Sequence, residues 1–324
     1  MKKVIILVIS ILFVISCEDT TQTSFVYSDS INDISVDAQG NIWFGTSNFG
    51  LVFYNGSKWR NFRTSNSTLP ENWIGSIDFD SKGNLWASTL STFVKYDGKN
   101  FDIMDDTLIM KQEGFNKVIC LAVDKNDRVW IGTYGTGLYV YEGGQLYKYV
   151  YENSNALDDI KYIYVDNNNS VWVVTFFGIF KIDDKIQKMY SETDYLMPDN
   201  TIYEILPEKT GMFWAAGSKG ISYMTGGGSW TKIDSTSNLL TNYNISSICS
   251  DSNNVKWFAS FGGGLASYNG LEWKYYNTQN SGIFSNYSLC VAADKNGNIW
   301  IGTYGRQVSR FDGKSWKNID IYDF

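Results

Sequence analysis

The 324-residue chain contains no histidine, and this bounds its chemistry. Ser-His-Asp and Cys-His nucleophile systems, His-ligated zinc and the helical zinc-protease pair all need an imidazole as base or ligand. No CxxC pair occurs either. Acid–base work would fall to carboxylates, since hydrolysis can use Asp or Glu as both acid and base. The acids form two groups. Asp37, Asp80, Asp124, Asp166, Glu208, Asp251 and Asp294 recur once per sequence repeat, and a residue needed in every unit reads as a turn or stabilising element. Asp33, Asp78 and Glu204 are less regular; they are candidates for holding a cation in a central channel. Otherwise no metal and no cofactor is expected.

Other motifs reduce to turn chemistry. The stretches opening at Asp124, Asp251 and Asp294 look superficially like calcium loops, but position twelve is Gly135, Gly262 and Gly305 instead of a bidentate Glu. The glycines from Gly132 to Gly137, Gly226 to Gly228 and Gly262 to Gly264 are followed by no helical pattern and no terminal Lys-Ser/Thr, so they are not phosphate loops. Cys120, Cys249 and Cys290 fall on expected first strands and read as small buried residues; a Cys249–Cys290 bridge is the one pairing worth checking.

These residues are positioned by a ladder. Trp43, Trp86, Trp130, Trp172, Trp214, Trp257 and Trp300 follow one another at intervals of 43, 44, 42, 42, 43 and 43 residues. Six residues before each stands one of the seven regular acids, and nine before each an apolar residue, from Ile34 to Val291. Sixteen after, Trp59, Trp230, Trp273 and Trp316 mark four of the repeats. Between acid and anchor lie turn residues such as Asp37-Ala-Gln-Gly40-Asn41, which form Asx turns and accept positive φ. Strand-like runs flank that turn, and Asn55-Gly56, Asn269-Gly270 and Asp312-Gly313 are hairpin signals after the third run. Four antiparallel strands in about 42 residues, repeated seven times, predict an all-β, seven-bladed β-propeller. An open solenoid is the competitor, and seven twisted sheets favour closure.

The expected organisation is residues 1–16 as a lipoprotein signal peptide, 17–27 as lipidated N-terminus and tether, and 28–324 as the propeller. The blades run at about 28–70, 71–115, 116–157, 158–199, 200–241, 242–285 and 286–324. All four strands of the first and last blade appear in order, leaving Phe25-Val-Tyr27 as a possible extra strand or latch. Lys2-Lys3, a short apolar run and Val14-Ile15-Ser16-Cys17 have the form of an export signal, and the last four residues resemble the bacterial lipobox. That resemblance implies diacylation of Cys17, with the membrane reached through the lipid, and an exported protein facing the periplasm or the cell surface, on the outer membrane. Removal of Lys2 and Lys3 takes the formal charge from −7 to −9, which argues against a nucleic-acid partner.

Units such as Asp124-Lys-Asn-Asp-Arg-Val-Trp130-Ile-Gly-Thr and Asp294-Lys-Asn-Gly-Asn-Ile-Trp300-Ile-Gly-Thr resemble the two-component regulator propeller repeat. The resemblance implies the periplasmic sensor part of hybrid two-component systems of Bacteroidota, whose propellers bind or report on polysaccharide fragments. Here one ring's worth of blades stands without recognisable kinase, transmembrane or immunoglobulin-like parts, so scaffold and setting carry over and signalling does not. The streptogramin lyases share a Gly-x-Ile-Trp rhythm, but that likeness implies a catalytic histidine and a magnesium site.

Ligands of propellers meet the loops that follow the second strands. Four residues after the anchor these carry Tyr134, Phe176, Phe261 and Tyr304, against Ser47, Leu90 and Ser218 in the other blades, with Phe49, Phe177, Lys219 and Arg306 nearby. Such a rim suits a polysaccharide, through ring stacking, or an envelope protein; inter-blade packing of the same rings is the competing account. The expected function is non-catalytic binding, with a carboxylate-dependent polysaccharide lyase or hydrolase as the alternative.

Overall fold

In the computed structural model the described residues are 29–104, 109, 117–150, 157–183, 201–208, 210–225, 230–233 and 244–324, with the backbone of 185–190. Cys17, the Phe25–Tyr27 segment and Gly226 to Gly228 lie outside them. The chain forms seven four-stranded antiparallel meanders, each in simple sequence order. The first consists of Ile31–Val36, Ile42–Thr46, Leu51–Tyr54 and Trp59–Phe62; the last of Ser288–Ala293, Ile299–Thr303, Gln307–Phe311 and Trp316–Asp320. Among the described residues no strand is shared between the two ends. The inner strands nevertheless touch in an unbroken cycle, Ile31–Val36 packing on both Ile74–Phe79 and Ser288–Ala293. The fold is a closed seven-bladed β-propeller.

The ladder has a local cause. In every blade the indole Nε1–H of the anchor Trp donates to the acid six residues earlier, at 3.1 Å for Trp43–Asp37, 3.3 Å for Trp86–Asp80, 2.9 Å for Trp130–Asp124, 3.0 Å for Trp172–Asp166, 2.6 Å for Trp214–Glu208, 3.0 Å for Trp257–Asp251 and 2.9 Å for Trp300–Asp294. In the six Asp blades the other carboxylate oxygen accepts the backbone N–H groups two and four residues on, as Asp294 does from Asn296 and Asn298 at 2.9 Å each. The third residue after the acid takes positive φ: Gly40 at 86°, Asp127 at 61°, Asn169 at 67°, the conformation that Gly, Asn and Asp tolerate. The acid thus closes the hairpin and satisfies a buried indole.

Each anchor then packs on the following blade. Trp43 shares a buried cluster with Ile74, Ile77 and Leu85, and the other joints repeat the pattern, giving seven small inter-blade cores instead of one large one. Blade five departs from the Asp rule, and the longer Glu208 also reaches Lys256 of blade six at 3.0 Å, a nearly buried ion pair.

The seam between blades seven and one is closed by side chains and by the C-terminal tail. Ile31, Phe44 and Phe49 share a core with Trp300, Val308, Ile319 and Ile321. Past the last strand, Tyr322 lies 3.7 Å from the Phe49 ring, and Phe324 stacks on Trp59 at 4.7 Å and 9°. The tail thus clasps the seam; the Phe25–Tyr27 segment considered above lies outside the described residues.

Candidate functional site

The loops joining second to third strands and the segments entering each blade meet at one end of the ring. Backbone bonds tie them: Ser47 N–H to Ser30 C=O, Gly135 to Asp158, Phe261 to Asn244 and Tyr304 to Tyr287. They surround a cavity of about 1670 Å³ that continues down the axial channel. Tyr134, Phe176, Phe261 and Tyr304 all line it, so four rim residues expected from the sequence converge on one mouth.

The other rim candidates lie elsewhere. Phe49 is only 6% exposed, held between Tyr322 and the Arg63 guanidinium 4.5 Å above its ring; it belongs to the seam core, which corrects the expectation. Arg306 sits 5.3 Å over Tyr322 and pairs with Asp320 at 3.1 Å. Lys219 and Phe177 are exposed but are not cavity-lining residues.

The mouth has two unlike sides. On blades three and four, Lys161 Nζ stands 3.8 Å over the Phe176 ring, a desolvated cation–π contact, beside Asp158 and Asp159. On blades six and seven, Phe261 packs edge-on against Tyr287 at 5.0 Å and 65° and against Tyr304 at 6.3 Å and 84°. Trp73 and Tyr203 also line the cavity. Trp73, Tyr203, Tyr287 and Lys161 escaped sequence reasoning. Trp73 and Tyr287 stand thirteen residues before their anchors, where other blades have Ser30, Lys117, Asp159, Thr201 and Asn244; Lys161 and Tyr203 stand eleven before theirs. Those two irregular columns were the available signal.

Deeper in the channel, Asp33, Asp78 and Glu204 accept the N–H groups of Ile77 at 2.6 Å, Val123 at 2.7 Å and Ile248 at 3.0 Å. Each carboxylate reaches across a blade joint to the inner strand of the next blade, and Ser76 and Ser247 do the same for Leu121 and Val291. Burial pushes Asp33 up to about 7, Asp78 to about 6 and Glu204 to about 7, against the lowering effect of their hydrogen bonds. These acids are inter-blade staples. Among the described residues no three His, Cys, Asp or Glu converge as a metal site needs. Cys120, Cys249 and Cys290 are free thiols, so the Cys249–Cys290 bridge is not formed; burial raises all three thiol pKa values.

The two component regulator propeller profile matches residues 28–48, 112–135 and 282–305. Those three segments match the two-component regulator propeller repeat. Among solved structures it is similar to the extracellular domain of a putative hybrid two-component system of B. thetaiotaomicron, at 18% identity over 88% of this chain and 38% of that one, with a TM-score of 0.66. It is also similar to a streptogramin B lyase (14% identity, 90% and 93% covered, TM-score 0.70) and to PorZ, a surface component of the type-IX secretion system of Porphyromonas gingivalis (16%, 85% and 46%, 0.68). At these identities the likeness is one of fold. The chain spans 38% and 46% of the two hybrid two-component extracellular domains it matches. No curated protein matches the sequence.

Proposed function

We propose that this propeller is an exported, non-catalytic binding protein, anchored to the envelope through lipid on Cys17, that takes a glycan or a protein partner at the mouth of its channel. The observation that carries the reading is the convergence of Tyr134, Phe176, Phe261 and Tyr304 on one cavity whose blades are otherwise built from a repeated structural unit. Rings that pack only between blades have no need to face it. The extracellular setting of the similar two-component domains supports export, and the missing histidine argues against the chemistry that the lyase likeness implies.

A panel of polysaccharides, scored for both retention and released product, tests the reading. Retention without turnover is expected. Turnover would favour the second reading, a carboxylate-dependent lyase or hydrolase, to which the near-neutral Asp33 and Glu204 lend their only support. The anchor is tested separately: Cys17→Ser should abolish fatty-acid labelling and release the protein from membranes, and unchanged labelling would remove the lipid from the proposal.

A further inference from the structure

We infer that the blade six and seven side of the mouth is a stacking platform for an uncharged glycan, formed by Phe261, Tyr287 and Tyr304; this rests on the binding function proposed above. Phe261 is the wedge. Its edge-on contacts fix the two tyrosine rings, while Tyr287 and Tyr304 remain 49% and 47% exposed. Their backbones are equally fixed, for Phe261 bridges to Tyr287, Tyr304 bridges to Ser30, and Gly262 and Gly264 both donate to Asn286 C=O at 2.9 Å. A platform whose rings are already held loses little freedom on binding, which favours affinity.

The chemistry around it selects the ligand class. No charged residue occurs between Lys274 and Asp294, between Trp257 and Leu271, or between Ile299 and Gly305. The nearest cation along the chain, Arg306, is committed to Asp320. The segment carrying Tyr287 is built from Asn, Gln, Ser, Thr and Gly around Ile283 and Phe284. Taking an ion out of water onto such a surface costs far more than an uncharged polar group does. Sugar rings present apolar C–H faces to aromatic faces and hydroxyls to tyrosine O–H and side-chain amides, so a neutral glycan meets both kinds of group. Along these segments an acidic polymer finds only Arg306, already paired with Asp320, in contrast to the Lys161 side of the mouth.

The test uses the full chain and affinity electrophoresis in gels containing a neutral β-glucan, a neutral mannan, or polygalacturonate. Wild type should be retarded by a neutral polymer and not by polygalacturonate. Tyr287→Ala and Tyr304→Ala should each weaken that retardation by about tenfold or more, with melting temperature unchanged because both rings are half exposed. Tyr147→Ala, on an exposed tyrosine of an outer strand, should change nothing. Retardation by a neutral polymer that survives both platform substitutions overturns the platform and leaves the binding function standing. Wild type held only by polygalacturonate or only by a protein partner does the same. No binding to any probe overturns both.

Discussion

Asp124→Asn replaces one oxygen by an amide and should destabilise the protein by about 3–4 kcal/mol. Asp124 Oδ1 accepts Asn126 N–H at 2.9 Å and Arg128 N–H at 3.1 Å, and an asparagine carbonyl can keep both. Its Oδ2 accepts Arg128 Nε–H at 2.6 Å and Trp130 Nε1–H at 2.9 Å, and here the variant sets an NH₂ group against two donors. Each bond to a charged acceptor contributes roughly 1.5–3 kcal/mol, and the indole, on a tryptophan only 3% exposed, is left without an acceptor. Trp130→Phe removes that donor and some packing, for about 2 kcal/mol. In the double variant the amide no longer opposes an indole, so its cost should fall short of the sum of the singles by about 1–2 kcal/mol. Urea unfolding followed by far-UV circular dichroism reads the cycle, and amide exchange should place the loss in Lys117–Val123 and Val129–Tyr134. An Asp124→Asn variant within about 0.5 kcal/mol of wild type, or singles that simply add, would refute the assignment of the regular acids to indole satisfaction.

Two further outcomes are expected. The folded-state carboxyl of Asp33 lies near 7, above its ordinary 3.8, so the native state binds the extra proton and stability falls as pH rises from about 4 to 7. The rise caps the effect at roughly 4 kcal/mol, which solvent at the channel wall reduces to about 1–2 kcal/mol. Asp33→Asn keeps the Ile77 N–H acceptor and should raise the melting temperature at pH 8 while leaving it unchanged at pH 4; equal effects at both values would discount the buried charge. Gly302→Ala puts a Cβ 2.5 Å from Cys290 Sγ and 2.6 Å from Ile31 Cβ, straining the seam where the ring closes. A loss of about 1–3 kcal/mol is expected, with faster exchange in Ile31–Val36, and an unchanged melting temperature would show that the seam yields freely.

The fold was legible because its determinants are local and repeated. An acid, a turn residue with positive φ and an indole six positions after the acid satisfy one another within a single hairpin, and the periodicity of any one of them registers the others. Closure was harder to read, since the contacts of Tyr322 with Phe49 and of Phe324 with Trp59 join opposite ends of the chain and belong to no repeat. The buried Phe49 shows the limit directly: its neighbourhood in sequence marks a rim loop, while its burial depends on a tail some 270 residues away.

The site was half legible for a related reason. The column four residues after the anchor revealed Tyr134, Phe176, Phe261 and Tyr304, but the columns thirteen and eleven before it look like ordinary strand entries until the ring sets Trp73, Lys161 and Tyr203 on the cavity wall and Tyr287 against Phe261. A propeller places each column at one height around one axis. Columns held constant in all seven blades serve the joints that every blade shares, as the anchors and the acids that satisfy them do. A column free to vary from serine to tryptophan serves no common joint. Chemistry that differs from blade to blade, as the charged Lys161 side and the uncharged Tyr287 side do, can be carried only there.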